Sequence, residues 1–157
     1  MIGDAVDAGR AEMALEGGDH FHGRGIVLRR NVPAHRVLGH SDVAPSRKKD
    51  PGEKFPWHSL ANSGVGHWVQ PAPIVRGEPL KLGTISDDVR DLQQALARYG
   101  YAIPVNGKYD ATTMEVVTAF QRHFRPARVD GITDHSTLTT LQALLASLPN
   151  ETMAAAK

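Results

Sequence analysis

Asn106-Gly-Lys-Tyr-Asp-Ala-Thr-Thr is answered 24 residues later by Asp130-Gly-Ile-Thr-Asp-His-Ser-Thr. Each copy holds a turn residue followed by Gly, then an Asp able to cap a helix, then a Thr three positions beyond that Asp. The pattern predicts a tight turn and a capped helix start, used twice. Upstream, Ser86 is a suitable N-cap, with Asp87 and Asp88 favoured in the first turn by the helix dipole. Val89, Leu92, Leu96 and Tyr99 then recur at helical spacing until Gly100 ends the run. A second helix starts at Asp110, sets Met114, Val117, Phe120 and Phe124 on one face, and stops before Pro126. A third starts at Asp134 and carries Leu138, Leu141, Leu144, Leu145 and Leu148, with Pro149 beyond. Three faces this apolar should bury one another.

The rest of the chain differs. Residues 1–80 hold six of the eight His and both Trp. Between the halves, Gln70-Pro-Ala-Pro-Ile-Val-Arg-Gly-Glu-Pro79 fixes extended backbone and reads as a linker with few contacts. Lys+Arg is 18 and Asp+Glu 17, a net charge of +1 over 157 residues. That balance argues against a general nucleic-acid or membrane-surface binder. Residues 81–157 carry eight basic and eight acidic side chains and present no basic stripe. With no cysteine, disulfides and thiolate metal sites are excluded, so any metal must be held by His and carboxylate. No apolar run approaches the roughly 18 residues of a membrane span. Met1–Glu16, with Asp4, Asp7 and Glu12 and no continuous apolar core, does not read as a signal peptide.

The helical half, through Leu92-Gln-Gln-Ala-Leu, Gly100-Tyr, Asn106-Gly-Lys-Tyr-Asp-Ala-Thr-Thr, Val117-Thr-Ala-Phe-Gln121 and Val129-Asp-Gly-Ile-Thr-Asp-His-Ser-Thr-Leu, resembles a three-helix peptidoglycan-binding domain over 86–148. The resemblance implies a module that holds cell-wall hydrolases on murein. Asn106 stands where that family usually has Asp, which keeps the turn. Gly107, Asp110, Phe120, Gln121 and Gly131 read as structural. Tyr101, Tyr109 and Arg122 are conceivable ligand contacts, with packing the commoner role for such residues.

The first half has one stretch dense in chemistry, Pro33-Ala-His-Arg-Val-Leu-Gly-His40-Ser-Asp-Val-Ala-Pro-Ser-Arg-Lys48-Lys-Asp50-Pro-Gly-Glu-Lys-Phe-Pro-Trp57. Arg36–Gly39 alternates towards a short strand, which puts His40 at its end, and a Gly- and Pro-bounded loop returns Lys48 and Asp50. His with carboxylate is a donor pair suited to zinc. On an extended segment Lys48 would face the same side as Asp50 and could stabilise an oxyanion. By themselves, a His and an Asp ten residues apart are more often surface or core residues than metal ligands.

From Gly39 to Trp57, continued by Leu60-Ala and Gly64-Val-Gly-His-Trp68, the wording resembles the C-terminal signature of zinc-dependent N-acetylmuramoyl-L-alanine amidases of the peptidoglycan-recognition-protein fold. The resemblance covers about 31–70. It implies zinc as cofactor, His40 and Asp50 as metal ligands, and Lys48 as a catalytic residue at the amide joining N-acetylmuramic acid to L-alanine. Peptidoglycan or muropeptides would be the partner, and the cell envelope or periplasm the setting. Such a site needs a third protein ligand and a general-base Glu from upstream strands. His20 and His22 alternate like one strand face but stand in the wrong context, as do Glu12 and Glu16 for the base. Strand alternation turns His35 away from His40. His58, His67, His123 and His135 read as surface or capping residues.

The expected fold class is thus an α+β remnant of a mixed-sheet zinc amidase domain plus an all-α three-helix domain. Its divisions are 1–30 unassigned and partly ordered, 31–70 amidase segment, 71–85 linker, 86–148 peptidoglycan-binding domain and 149–157 tail. A truncation, a frameshift or a different start would each produce this arrangement. Weak zinc binding and little activity are expected of the chain as it stands. A non-catalytic wall-binding protein with a vestigial amidase segment is the alternative.

Overall fold

The turn residues and caps that repeat in the sequence repeat in space. The computed structural model describes residues 32–149. Five helices occur there: α1 (His40–Val43), α2 (Trp57–Asn62), α3 (Asp87–Tyr99), α4 (Ala111–Phe124) and α5 (His135–Ala146). Ser86, Asp110 and Asp134 cap α3, α4 and α5, each side chain accepting the N–H of the residue three positions on. Gly107 and Gly131 occupy the left-handed region at φ 73° and 69°, where a side chain is strained. Space also selects Gly131, because a Cβ there would lie 2.6 Å from Thr118 Oγ1 and 2.8 Å from Met114 Cγ.

A buried glutamine reads each turn. Gln93 Oε1 accepts the N–H groups of Asn106 and Gly107, both at 2.9 Å, while its Nε2 donates to Asn106 Oδ1, Lys108 O and Thr113 Oγ1. Gln121 repeats this on the other turn, accepting from Asp130 and Gly131 and donating to Ile132 O. Tyr109 joins the two turns by donating from its hydroxyl to Gly131 O at 2.8 Å. Burial pushes its pKa up to about 12, so it stays a neutral donor.

Between these turns, Val89, Leu92 and Leu96 of α3 meet Val117, Phe120 and Phe124 of α4 and Leu141 and Leu144 of α5 in one core. Helix α4 is buried on more than the expected face, since Val116, Ala119 and His123 are also covered. The cover for part of that second stripe is α1, which lies against α4.

The first half departs from expectation. Arg36–Gly39 is no strand: Ala34–Arg36 forms a 3₁₀ turn, closed by the Arg36 N–H on Pro33 O at 2.8 Å, and α1 starts at His40. Alternation is only half of what a strand requires. It also needs a hydrogen-bonding neighbour, and among the described residues pairing is limited to the isolated bridges Leu80–Thr133 and Ile85–Lys108. The mixed sheet is therefore not present among the described residues, which are helical with irregular connections. Glu12, Glu16, His20 and His22, and the expectation of partial order before Asn31, lie outside the described residues.

The proline-rich segment also makes more contacts than expected. Pro71 and Pro73 have no N–H, so Ala72 alone in that triplet can donate. It gives its N–H to Thr140 Oγ1 at 3.1 Å and accepts from Ser136 Oγ at 2.6 Å, which fastens the segment to α5. Trp68, Val69 and Leu80 pack against the helical core on either side of that fastening.

Candidate functional site

The loop from Gly39 to Asp50 closes on itself by backbone hydrogen bonds. Ser41 N–H donates to Asp50 O at 2.9 Å, and Lys48 N–H to Ala44 O at 2.9 Å. Gly39 begins the loop where nothing larger fits, a Cβ there lying 2.7 Å from Pro51 Cδ. This closure brings together two of the three residues singled out in the sequence. His40 Nδ1 stands 2.5 Å from Asp50 Oδ2, with the side chains 72% and 63% exposed, so the pair faces solvent. The hydrogen bond from His40, with a smaller pull from Lys48, holds the Asp50 carboxyl below the usual carboxylate range. Lys48 is exposed on the same loop.

Whether the pair could hold zinc is a question of geometry and number. Bonds of about 2.0–2.2 Å at tetrahedral angles set two donors roughly 3.3–3.5 Å apart on one zinc. The observed separation is instead that of a direct hydrogen bond between the two side chains. Moreover, no group of three His, Asp or Glu able to hold a metal occurs among the described residues. His40 and Asp50 thus supply two donors of suitable chemistry and do not form a closed metal site by themselves.

Beneath the exposed pair lies a buried anchor that sequence reasoning missed. Asp42, two residues after His40, takes Gly39 N–H and Tyr101 O–H at 2.8 Å each and pairs with His123 Nδ1 at 2.7 Å. The side chains of His123 and Asp42 are 2% and 3% exposed. The His123 ring is sandwiched between Trp57 of α2, with centroids 3.7 Å apart, and Phe124, at 3.8 Å. His123 is therefore no surface residue. Val116, Ala119 and Phe120 precede it at helical spacing, and that second apolar stripe on α4 was the available signal.

His67 is likewise engaged, with Nδ1 2.7 Å from Tyr99 Oη and Nε2 2.9 Å from Ser147 Oγ. Burial lowers its pKa from the ordinary 6.5. His58 and His135 are exposed, as expected. Tyr101 and Tyr109 are core residues, at 5% and 1% exposure.

Comparison with known proteins bears on this geometry. Residues 86–141 match the family model described as "Putative peptidoglycan binding domain". The chain is 37% identical over 123 residues to N-acetylmuramoyl-L-alanine amidase AmiD of Escherichia coli, the match covering 76% of this chain and 43% of that protein. Its structure is similar to that of AmiD in complex with the substrate anhydro-N-acetylmuramic acid-L-Ala-D-gamma-Glu-L-Lys, at 35% identity and a TM-score of 0.59 over 73% of this chain and 44% of that one. It is also similar to AmpDh3 of Pseudomonas aeruginosa, at 33% identity and a TM-score of 0.56 over 75% and 46% of the two chains. The chain spans less than half the length of each of these proteins. It is homologous to N-acetylmuramoyl-L-alanine amidases over that span, and it carries a helical domain of the peptidoglycan-binding type.

Proposed function

We propose that this chain is a peptidoglycan-directed protein of the amidase kind. In this reading the α3–α5 domain holds murein, and the Gly39–Asp50 loop belongs to a centre that hydrolyses the N-acetylmuramoyl–L-alanine amide. The observation that supports it best is the exposed His40–Asp50 pair, seated on a buried anchor and lying beside Lys48 in a chain homologous to amidases. His40 and Asp50 are the residues proposed to hold zinc, the metal whose bound water such hydrolysis uses. Lys48 is proposed to face the oxygen of the scissile amide. Catalytic zinc ordinarily has three protein ligands, so two donors predict weak metal retention and little turnover from residues 32–149.

Zinc stoichiometry after chelator competition, measured together with peptide release from a muropeptide, tests the reading. Weak zinc binding that His40→Ala abolishes, with little release, is expected. Tight zinc and robust release, both lost in His40→Ala, would overturn the expectation of weak activity and place a third donor outside residues 32–149. Robust release that survived His40→Ala would end the zinc-amidase reading. The wall-binding role would then stand alone.

A further inference from the structure

Arg125 follows the last turn of α4, and its side chain is 1% exposed. Only one corner of its guanidinium is satisfied: Nη2 donates to Thr137 Oγ1 at 2.8 Å and lies 3.5 Å from Asp134 Oδ1. Nε and Nη1, which carry three of the five N–H bonds of the group, are buried with no acceptor among the described residues. A second orphan is close by. Trp68 Nε1, from the segment that lies on the helical core, is also buried without a partner among the described residues.

Both residues line one cavity of about 420 Å³, whose other walls include Pro71, Pro73, Ile74 and Pro126. Unpaired buried donors are costly and uncommon in folded proteins, and both of these belong to residues that wall the same cavity. The neighbouring Asp134 does not fill that role, because its carboxylate is already committed to Arg128, to the Thr137 N–H and to the Arg125 Nη2 corner.

We propose that this cavity is a carboxylate-binding site, in which a carboxylate of the murein peptide stem accepts from Arg125 and Trp68. The proposal rests on the peptidoglycan-directed reading above and names a contact surface for it. A guanidinium recognises carboxylate through parallel N–H···O bonds, and a positive charge selects an anion over a neutral acceptor. The proline and isoleucine walls suit the methyl and methylene groups of a peptide rather than the hydroxyls of a sugar. For that reason the stem is chosen over the lactyl carboxylate of a muramic acid stripped of its peptide.

The chain has two Trp, so its indole N–H region in a nitrogen–proton correlation spectrum holds two signals. The full chain is titrated with the tripeptide L-Ala-D-γ-Glu-L-Lys, with the same tripeptide bearing amidated carboxyls, and with N-acetylmuramic acid. The free-acid tripeptide should move the Trp68 signal and leave that of Trp57 in place, and the amidated form should move neither. Arg125→Gln should weaken binding roughly 10- to 100-fold, the range for losing a charge-assisted hydrogen bond. Trp68→Phe keeps a ring over the cavity and loses the N–H. By calorimetry it should weaken binding too, which keeps the test valid if Arg125→Gln fails to fold.

A Trp68 signal unmoved by the tripeptide at millimolar concentration overturns the site. So does a signal moved equally by the amidated form, or a stronger response to N-acetylmuramic acid. Co-sedimentation with insoluble peptidoglycan separates this failure from the larger one. Wild-type and Trp68→Phe chains pelleting equally would remove the site and leave murein binding intact, whereas a wild-type chain that stayed in solution would remove the reading on which the site rests.

Discussion

Replacing Asp42 by Ala should release the Gly39–Asp50 loop from the helical domain. The carboxylate accepts from Gly39 N–H and Tyr101 O–H and pairs with the His123 ring, all from a position 7% exposed. Alanine leaves the Tyr101 hydroxyl and His123 Nδ1 in a buried interface, where His123 Nε2 has no partner among the described residues. Each buried group left unpaired costs about 1–3 kcal/mol, and here at least two are left so. A loss of roughly 3–5 kcal/mol is therefore expected. Asp42→Asn keeps the shape and one acceptor, and should lose about 1–2 kcal/mol.

Urea unfolding in a Trp68→Phe background gives the readout, because Trp57 stacks on His123 and its fluorescence reports the anchor. Helical circular dichroism reports α3–α5 in the same samples. In Asp42→Ala the Trp57 transition should move down by about 2–3 M, for an m-value near 1.5 kcal/mol/M, and should precede the loss of helix. A shift below about 0.5 M would show that water satisfies these groups as well as Asp42 does, and that the buried pair is no anchor.

Three further outcomes follow from the core and its edges. Gly131→Ala should lower the melting temperature more than Gly83→Ala, since both glycines have positive φ but only at Gly131 does a Cβ meet atoms within 3 Å; equal losses would refute the close-packing argument. Gln93→Ala and Gln121→Ala should each cost roughly 1–3 kcal/mol in chemical denaturation, because each strands one buried and one part-buried backbone N–H group, and a cost under about 0.5 kcal/mol for either would refute the turn-reading role. His67 has its folded pKa lowered by burial, so the unfolded chain binds the proton more readily; its contribution is complete above the unfolded value of 6.5 and is lost as pH falls through the window below it. The melting temperature of wild type should accordingly drop more between pH 7.5 and pH 5 than that of His67→Gln, and parallel curves would contradict the assignment.

What the sequence disclosed was local. Turns at Asn106-Gly107 and Asp130-Gly131, the caps at Ser86, Asp110 and Asp134, and the faces of α3 and α5 all depend on residues within a few positions of one another. The convergence of His40 and Asp50 was visible for a similar reason, because the intervening loop is short and closed by Pro and Gly. The buried anchor was not visible, since Asp42 and His123 are 81 residues apart and meet only after α1 docks on α4. The same holds for Trp68 and Arg125, whose unpaired donors come together only when the proline-rich segment lies along the helices. Arg36–Gly39 misled because alternation describes a strand's side chains and says nothing of the neighbour it needs.

Murein binding by the whole chain is the most direct test of the central claim. The purified protein, mixed with insoluble peptidoglycan and centrifuged, should leave solution with it. Retention should change little between roughly 50 and 500 mM salt, because residues 81–157 balance eight basic against eight acidic side chains and have little net charge for salt to screen, and a soluble muropeptide should release the protein. A chain that stayed in the supernatant, or that pelleted equally with chitin, which carries no peptide, would contradict the account.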